Sequence, residues 1–359
     1  MVTAKPQVSV VIATYKGAKT LSFVLDALEQ QTYKNFETVV VIKPSADGTE
    51  ELLRKHDRLL GIKTVVQKSG YLVEAEAIGL KHARGDVVVF FDDDAVPAEN
   101  CIEEHVNSYK QSKIGGISGD VITSTIFDGK VKGLEEVELP PSESARRCLS
   151  ARVWNRPLRG LEQYRCCVTR CGSIWHGFWL KDNPVGNYAY WRKKGIVRSF
   201  LGMGANMSVL KEAASGFVLD RRREWRRAYG WEQVLAWHVW QNGYRMVHNP
   251  HARVDHIFCE GHLTGNLYAM NLKDKVPEHA KEDAKPDFDI VKERHLFFYR
   301  LYGKRGGLSL VSKICSILSD TVYSLKNIKD PYELGNLKVL YLSNITGLKW
   351  LMSSREPSL

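Results

Sequence analysis

Three carboxylates, Asp92, Asp93 and Asp94, stand in a row directly after the apolar run Val87–Phe91. Like charges crowded at the tip of a buried strand repel one another and cost stability. A hard divalent cation removes that cost, because Mg2+ and Mn2+ take carboxylate oxygens as ligands. Side chains alternate along an extended backbone, so Asp92 and Asp94 share a side and can address one nucleotide–metal complex. A solvated acidic turn is the plain alternative for an isolated triplet. The position of this one, after the fourth strand of a regular alternation, favours the cation.

The alternation itself is legible. Val8–Thr14 is a β-branched run of the kind covered on both faces. A helical pattern follows over Thr20–Gln31, with Leu21, Val24, Leu25 and Leu28 on one face. Phe36–Ile42 reads as a second strand, and Asp47 as a cap for a helix over Thr49–Leu60, with Glu50 and Glu51 suited to its positive end. Lys63–Gln67, Leu72–Ala83 and Asp86–Phe91 continue as strand, helix, strand. Such a series builds a parallel sheet through right-handed crossovers. Ligands then sit beyond the carboxyl ends of the strands, where Thr14-Tyr15-Lys16 and the aspartates fall.

Beyond that half the pattern loosens. Residues 124–200 are irregular and rich in aromatic and basic side chains, unlike a disordered linker, and are expected to form a folded, substrate-facing insertion. The stretch 202–213 predicts a glycine-containing turn opening a helix. Trp231–Asn242 predicts a helix stopped by Gly243, and Tyr244–His248 and Arg253–Ile257 predict short strands. From about Pro277 the pattern is helical.

Five stretches, in order, carry a family resemblance: VSVVIATYKGAKTLSFVLDALEQQTYKNFETVVV, SADGTEELL, AIGLKHARGDVVVFFDDDAVP, GANMSVLKEA and GWEQVLAWHVWQNGYRM. From about Val8 to His262 the chain resembles the inverting family 2 glycosyltransferases. The resemblance implies an α/β chain with the GT-A nucleotide-diphospho-sugar transferase fold, a Rossmann-like mixed, mostly parallel sheet flanked by helices. It would occupy residues 1–265, with a nucleotide-binding half (1–123) and an acceptor and catalytic half (124–265). Residues 266–359 would form a C-terminal helical extension.

The resemblance also implies roles. Asp92 and Asp94 match the D-x-D motif, the first contacting ribose or sugar and the last holding Mn2+ or Mg2+ against the diphosphate. Thr14, Tyr15 and Asp93 fall on the donor side. Glu232 falls where a catalytic carboxylate is expected, and a sugar hydroxyl needs such a base to take its proton; otherwise Glu232 complements a helix N-terminus. Trp231 and Asn206 fall toward the acceptor, Asn206 being equally suited to a helix cap. His256 matches a histidine that completes the metal shell in some relatives, and neutral imidazole ligates Mn2+. Asp255, His248, His251 and His262 are the alternatives nearby.

Two segments depart from the family's pattern. Lys43 stands where an acid usually contacts the nucleobase, and Glu76-Ala77 stand where Arg-Asn is common. These departures keep open a second reading, a catalytically silent protein that binds nucleotide sugars or glycans. A sugar-nucleotide pyrophosphorylase would want a glycine-rich first loop, and Thr14-Tyr15-Lys16-Gly17 is too spare.

Composition bounds the rest. Fifty-one Lys and Arg against 41 Asp and Glu leave a net charge of +10, which favours anionic partners. No nucleic-acid-binding fold is recognisable, so nucleotide phosphates and acidic lipid remain. The cluster Arg221–Arg227 suits a solvated face, an anionic acceptor or the donor diphosphate. Seven scattered cysteines, no cleavable leader and no long apolar span fit a cytoplasmic protein. In the tail, Leu308, Val311, Cys315, Leu318 and Val322 recur at helical spacing and suit a core or docking face. Phe297, Phe298, Tyr299 and Tyr302 among Arg294, Arg300, Lys304 and Arg305 instead suit an interfacial helix on anionic lipid. Peripheral contact with the cytoplasmic face of a membrane, and a glycan or lipid-linked acceptor, follow as expectations.

Overall fold

Every side chain of the first strand, β1 (Val8–Thr14), is buried, which is why its sequence is apolar without alternation. The structure, a computed structural model, describes residues 7–111, 113–127, 129–133, 192–199, 204–217 and 231–257. All belong to one unit, Met1–Glu138 with Tyr188–Cys259. The expected insertion is described only at 124–127, 129–133 and 192–199, and the expected extension, 266–359, lies outside the described residues, as does Arg221–Arg227.

After β1 come α1 (Ala18–Glu29), β2 (Phe36–Ile42), α2 (Thr49–Leu60), β3 (Ile62–Val66), α3 (Leu72–His82) and β4 (Val87–Asp92). The expected apolar face of α1 is buried through Leu21, Val24, Leu25 and Leu28. Asp47 works from one residue before the N-cap of α2, accepting the Thr49 N–H at 3.3 Å and the Ala18 N–H of α1 at 3.1 Å. Then follow β5 (Ala95–Pro97), α4 (Cys101–Ser108), β6 (Ile114–Phe127), β7 (Lys130–Gly133), β8 (Val197–Ser199), β9 (Asn206–Leu210), α5 (Trp231–Gln241) and β10 (Arg245–Ile257).

The strands form one mixed sheet in the order β3-β2-β1-β4-β9-β6-β10-β5, with β7 on β6 and β8 on β10. The pairings give β1, β2, β3, β4, β6 and β10 one common direction, and β5, β7, β8 and β9 the opposite one. The mostly parallel sheet expected from the sequence is thus present, with an antiparallel strand inserted in its middle.

That insertion corrects one expectation. Residues 206–210 are strand β9, not the start of a helix, and pair with β4 (Phe91↔Asn206) and β6 (Ile117↔Ser208). Met207 and Val209 are fully buried there, so burial between two neighbouring strands outweighs the local turn signal. The two short strands expected after Gly243 are one strand, β10, with a register irregularity between Asn249 and Arg253.

One helix position matters for the site. A Cβ on Gly79 would lie 2.2 Å from Val11 Cγ1, so glycine lets α3 settle directly on β1. Residues three apart share a helix face, so Val73, Glu76 and Gly79 all turn toward the sheet and are buried. In a strand–helix–strand crossover the helix returns against the strand direction. Glu76, near the start of α3, therefore lies by the carboxyl ends of the strands.

Candidate active site

The acidic triplet straddles a strand end. Asp92 closes β4, and Asp93 and Asp94 form the turn into β5. Strand β5 pairs antiparallel with β10, aligning Ala95 with His256, and the Ile257 N–H donates to the Asp94 carbonyl at 2.8 Å. This pairing fixes His256 beside the triplet. His256 Nε2 lies 2.9 Å from Asp94 Oδ1 and 3.7 Å from Asp92 Oδ2. One ligand atom from each of the three residues falls within a 4.8 Å cluster. Their side chains are 31% (Asp92), 19% (Asp94) and 12% (His256) exposed, open enough for a ligand to enter.

Asp93 turns toward the first loop. Its Oδ2 accepts the Thr14 hydroxyl at 2.5 Å. A Cβ on Gly17 would press against that same oxygen, so any larger residue in the β1–α1 loop would have to push the Asp93 carboxylate off the Thr14 hydroxyl. Thr14 and Asp93, both expected on the donor side, thus clasp the first loop to the triplet. Tyr15, next along, is 54% exposed at the rim.

Glu76 joins from α3. It is 2% exposed, its Oε2 has no hydrogen-bond partner, and its charged neighbours are Asp92, Asp93 and Glu232. Its sequence position registers only as a departure from the family's pattern. The available signal was its spacing, since an acid between Val73 and Gly79 at i,i+3 steps must face inward. Glu232 lies in the first turn of α5 and reaches the cluster electrostatically through Glu76.

The other expected residues lie elsewhere. Asn206 is fully buried, donating to the carbonyls of Asp120 and Ala252, each at 2.9 Å, with Oδ1 2.8 Å from His105 Nε2. It ties α4, β6 and β10 together instead of facing an acceptor or capping a helix. Trp231 is buried edge-on against Phe90, with ring centroids 5.4 Å apart, and its ring is a core contact. Asp255 accepts the Ser124 hydroxyl at 2.8 Å, and His248 is buried within β10. His262 is outside the described residues.

So many carboxylates in a poorly hydrated space raise one another's proton affinity. Burial, opposed by the Thr14 hydrogen bond and reinforced by Asp94 and Asp92, lifts Asp93 to about 7. Glu76 is pushed well above the usual carboxylate range by burial, then by Asp92, Asp93 and Glu232. Burial and the adjacent Asp94 raise Asp92 as well, against the opposing pull of His256. Burial alone would lower His256, but its hydrogen bond to Asp94 and the surrounding aspartate charges raise it instead. Two carboxylates and an imidazole, with an unpartnered buried acid behind them, are a donor set suited to Mn2+ or Mg2+.

A linkage prediction follows. Groups with raised folded-state affinity hold protons that the unfolded chain has already released, so the metal-free protein loses stability as pH rises. His105 and His248, lowered by burial to about 4 and about 3, act oppositely, but only below the ordinary histidine range. Between about pH 6.5 and about pH 8.5 the acid cluster and His256 therefore act without that opposition. In chelator, Tm should fall across this window. Millimolar Mn2+ should raise Tm more at the upper end than at the lower, because metal displaces protons. Equal Mn2+ increments at both ends would contradict the assignment.

Comparisons with known proteins find similarity to glycosyltransferases. The model of glycosyl transferase family 2 matches residues 9–176. Validoxylamine A glucosyltransferase of Streptomyces hygroscopicus subsp. jinggangensis is 28% identical over 213 residues, covering 55% of this chain and 49% of that protein. Glycosyltransferase AglE of Haloferax volcanii is 29% identical over 127 residues, covering 34% and 41%. Chondroitin synthase of Escherichia coli is 38% identical over 92 residues, covering 25% and 13%. The chain spans about half or less of these relatives' length. A solved mannosyltransferase from Pyrobaculum calidifontis, in complex with GDP-Man and Mn2+, superposes with a TM-score of 0.46 at 16% identity, over 99% of this chain and 89% of that one. The segment that resembles glycosyl transferase family 2 runs from β1 through the acidic triplet and on to residue 176, on the mixed, mostly parallel α/β sheet described above.

Proposed function

We propose that this chain is an inverting glycosyltransferase, moving a sugar from a nucleoside-diphosphate sugar to a hydroxyl of a glycan or lipid-linked glycan. The observation that carries the reading is the gathering of Asp92, Asp94 and His256 ligand atoms within 4.8 Å at the tip of β4. Asp94 and His256, with Asp92 alongside, would hold Mn2+ or Mg2+. When bound, the cation supplies positive charge to the donor diphosphate and to the leaving phosphate.

The chain's own residues would do the remainder. The Thr14–Asp93 hydrogen bond fixes the loop that carries Tyr15 on the donor side. Glu232 takes the proton of the acceptor hydroxyl while that oxygen attacks the anomeric carbon from the face opposite the nucleotide. The bond from the anomeric carbon to the diphosphate oxygen breaks, and the configuration inverts. The cluster Arg221–Arg227 would hold an anionic acceptor or the diphosphate. Residues 266–359 would bring the enzyme to anionic lipid on the cytoplasmic face of a membrane. Among the described residues, no helix is long and apolar enough to cross one.

One observation favours a second reading. By the family resemblance, Lys43 stands where an acid usually contacts the nucleobase and Glu76-Ala77 stand where Arg-Asn is common, as expected of a silent nucleotide-sugar-binding protein. The test is a panel of nucleotide sugars with Mn2+, followed for nucleoside diphosphate release and for product anomer by NMR. Metal-dependent release with an inverted anomer is expected. Saturable binding with no release would select the silent reading, and absence of any binding would sink both.

A further inference from the structure

Strand β10 carries more residues than the neighbour it pairs with. Asn249 stands opposite Gly119 of β6, and Arg253 stands opposite Asp120, the very next residue. Pro250, His251 and Ala252 are therefore surplus to the ladder. Beyond them the pairing runs on evenly to His256 opposite Thr123. Extra residues in a strand re-aim every side chain that follows them. Carried on at the offset of Asn249 from Gly119, the same chain would set His256 opposite Ile126. That slide of three residues is about 10 Å along the sheet and, being odd, turns the imidazole to the other face. Where the surplus leaves the ladder decides whether His256 meets Asp94.

The place of departure is held from two sides. Asn206, the first residue of β9, pairs with Phe91, one residue before Asp92. Its amide nitrogen donates to the carbonyl of Asp120 and to that of Ala252, the last surplus residue, each at 2.9 Å. A Cβ on Gly119 would press against that nitrogen, so bare backbone leaves room for the reach. The amide oxygen faces His105 Nε2 at 2.8 Å, and His105 Nδ1 lies 2.9 Å from Ser208 Oγ. Carbonyls only accept, so the nitrogen end of Asn206 must face them and His105 must carry its proton on Nε2. An amide matched at both ends has one orientation. On the other side, the Asn249 amide donates to Ser108 Oγ at 2.9 Å and to the Glu104 carbonyl at 3.2 Å, and its oxygen accepts the His251 N–H at 2.9 Å. Helix α4 thus grips both ends of the surplus, one directly and one through His105.

We propose that Asn206, oriented by His105, is a positioning residue for the strand-tip cluster: it fixes which residues leave the β10 ladder and so delivers His256 to Asp94. The register role stands on these hydrogen bonds, and its effect on a bound cation rests on the metal reading above.

The test reads the register both without metal and with it. In chelator, hydrogen exchange is followed at the Ile257 amide, which donates to the Asp94 carbonyl at 2.8 Å, with the buried Val39 of β2 as the control. Mn2+ affinity is measured by electron paramagnetic resonance. Asn206→Ala should speed exchange at Ile257 by about ten-fold or more while Val39 is unmoved. It should weaken Mn2+ binding by about 10–100-fold, as loss of a contact that orients a metal ligand does. Deleting residues 250–252 removes the surplus, joins Asn249 to Arg253 and leaves Asn206 nothing to select. The deletion protein should match the natural one within about two-fold in both readouts, and adding Asn206→Ala to it should change neither. An Ile257 amide that stays protected in folded Asn206→Ala, or a deletion protein that still depends on Asn206, overturns the assignment. So does a deletion that by itself loses both readouts. If Asn206→Ala alone does not fold, the two deletion proteins decide. No Mn2+ binding by the natural protein, with exchange changing as expected, sinks the metal reading and leaves the register role standing.

Discussion

Asp94→Asn is expected to lower metal-dependent sugar transfer by about a thousand-fold, since roughly 4 kcal/mol of transition-state charge stabilisation corresponds to three decades in rate. The side chain is the one whose oxygen lies closest to His256, at 2.9 Å, and an amide can keep that contact by accepting from the imidazole. What the amide loses is the negative charge that attracts a cation. Fold stability should therefore change little in chelator. It should even rise slightly near pH 8.5, because one of the mutually repelling groups raising Asp92 and Asp93 is gone. The diagnostic is the pair of readouts taken together: Tm in chelator preserved, and the Tm increment from Mn2+ abolished. If the variant responded to Mn2+ like the natural protein, the cation would not sit at this strand tip.

The part of this site that sequence made legible is the part built by local rules. Strand β2 and helix α2 fall on their expected boundaries because an uninterrupted β-branched run and an amphipathic stripe each have one comfortable geometry. The acid triplet was visible because three adjacent carboxylates after VVVFF conflict with burial unless something binds. The union of Asp94 with His256, by contrast, depends on β5 pairing with β10 across more than 150 residues of chain, which no local pattern encodes. Only family resemblance suggested it. Strand β9 departs from its local signal for a related reason: its five residues are stabilised by two neighbours distant in sequence, while its own sequence suits a turn and helix start. Asn206 and Trp231 show the same limit. A polar and an aromatic side chain near a site look like ligand contacts until the interior shows the His105 network and the Phe90 ring that they serve.

Glu232→Gln should separate chemistry from binding. Glutamine preserves the size and the hydrogen-bonding edge of the side chain but cannot accept a proton at neutral pH, and loss of a general base typically lowers the rate by about 10²–10⁴-fold. The expected result is a fall of about 10³ in kcat with KM for the nucleotide sugar and the Mn2+ affinity within a few-fold of the natural protein. That split follows from position. Glu232 opens α5, in a segment distinct from the strand tip that gathers the ligand atoms, and it meets the cluster through Glu76. Removing its charge also relieves one of the three carboxylates that raise Glu76, so the metal-free protein should lose less stability toward pH 8.5 than the natural one. A merely structural role for Glu232, complementing the N-terminal end of α5, makes the opposite forecast. The variant would then be less stable at every pH, and its turnover would recover once folding was restored by added nucleotide and metal. A Glu232→Gln protein that binds donor normally, melts normally and still transfers sugar at the natural rate would remove this carboxylate from the mechanism.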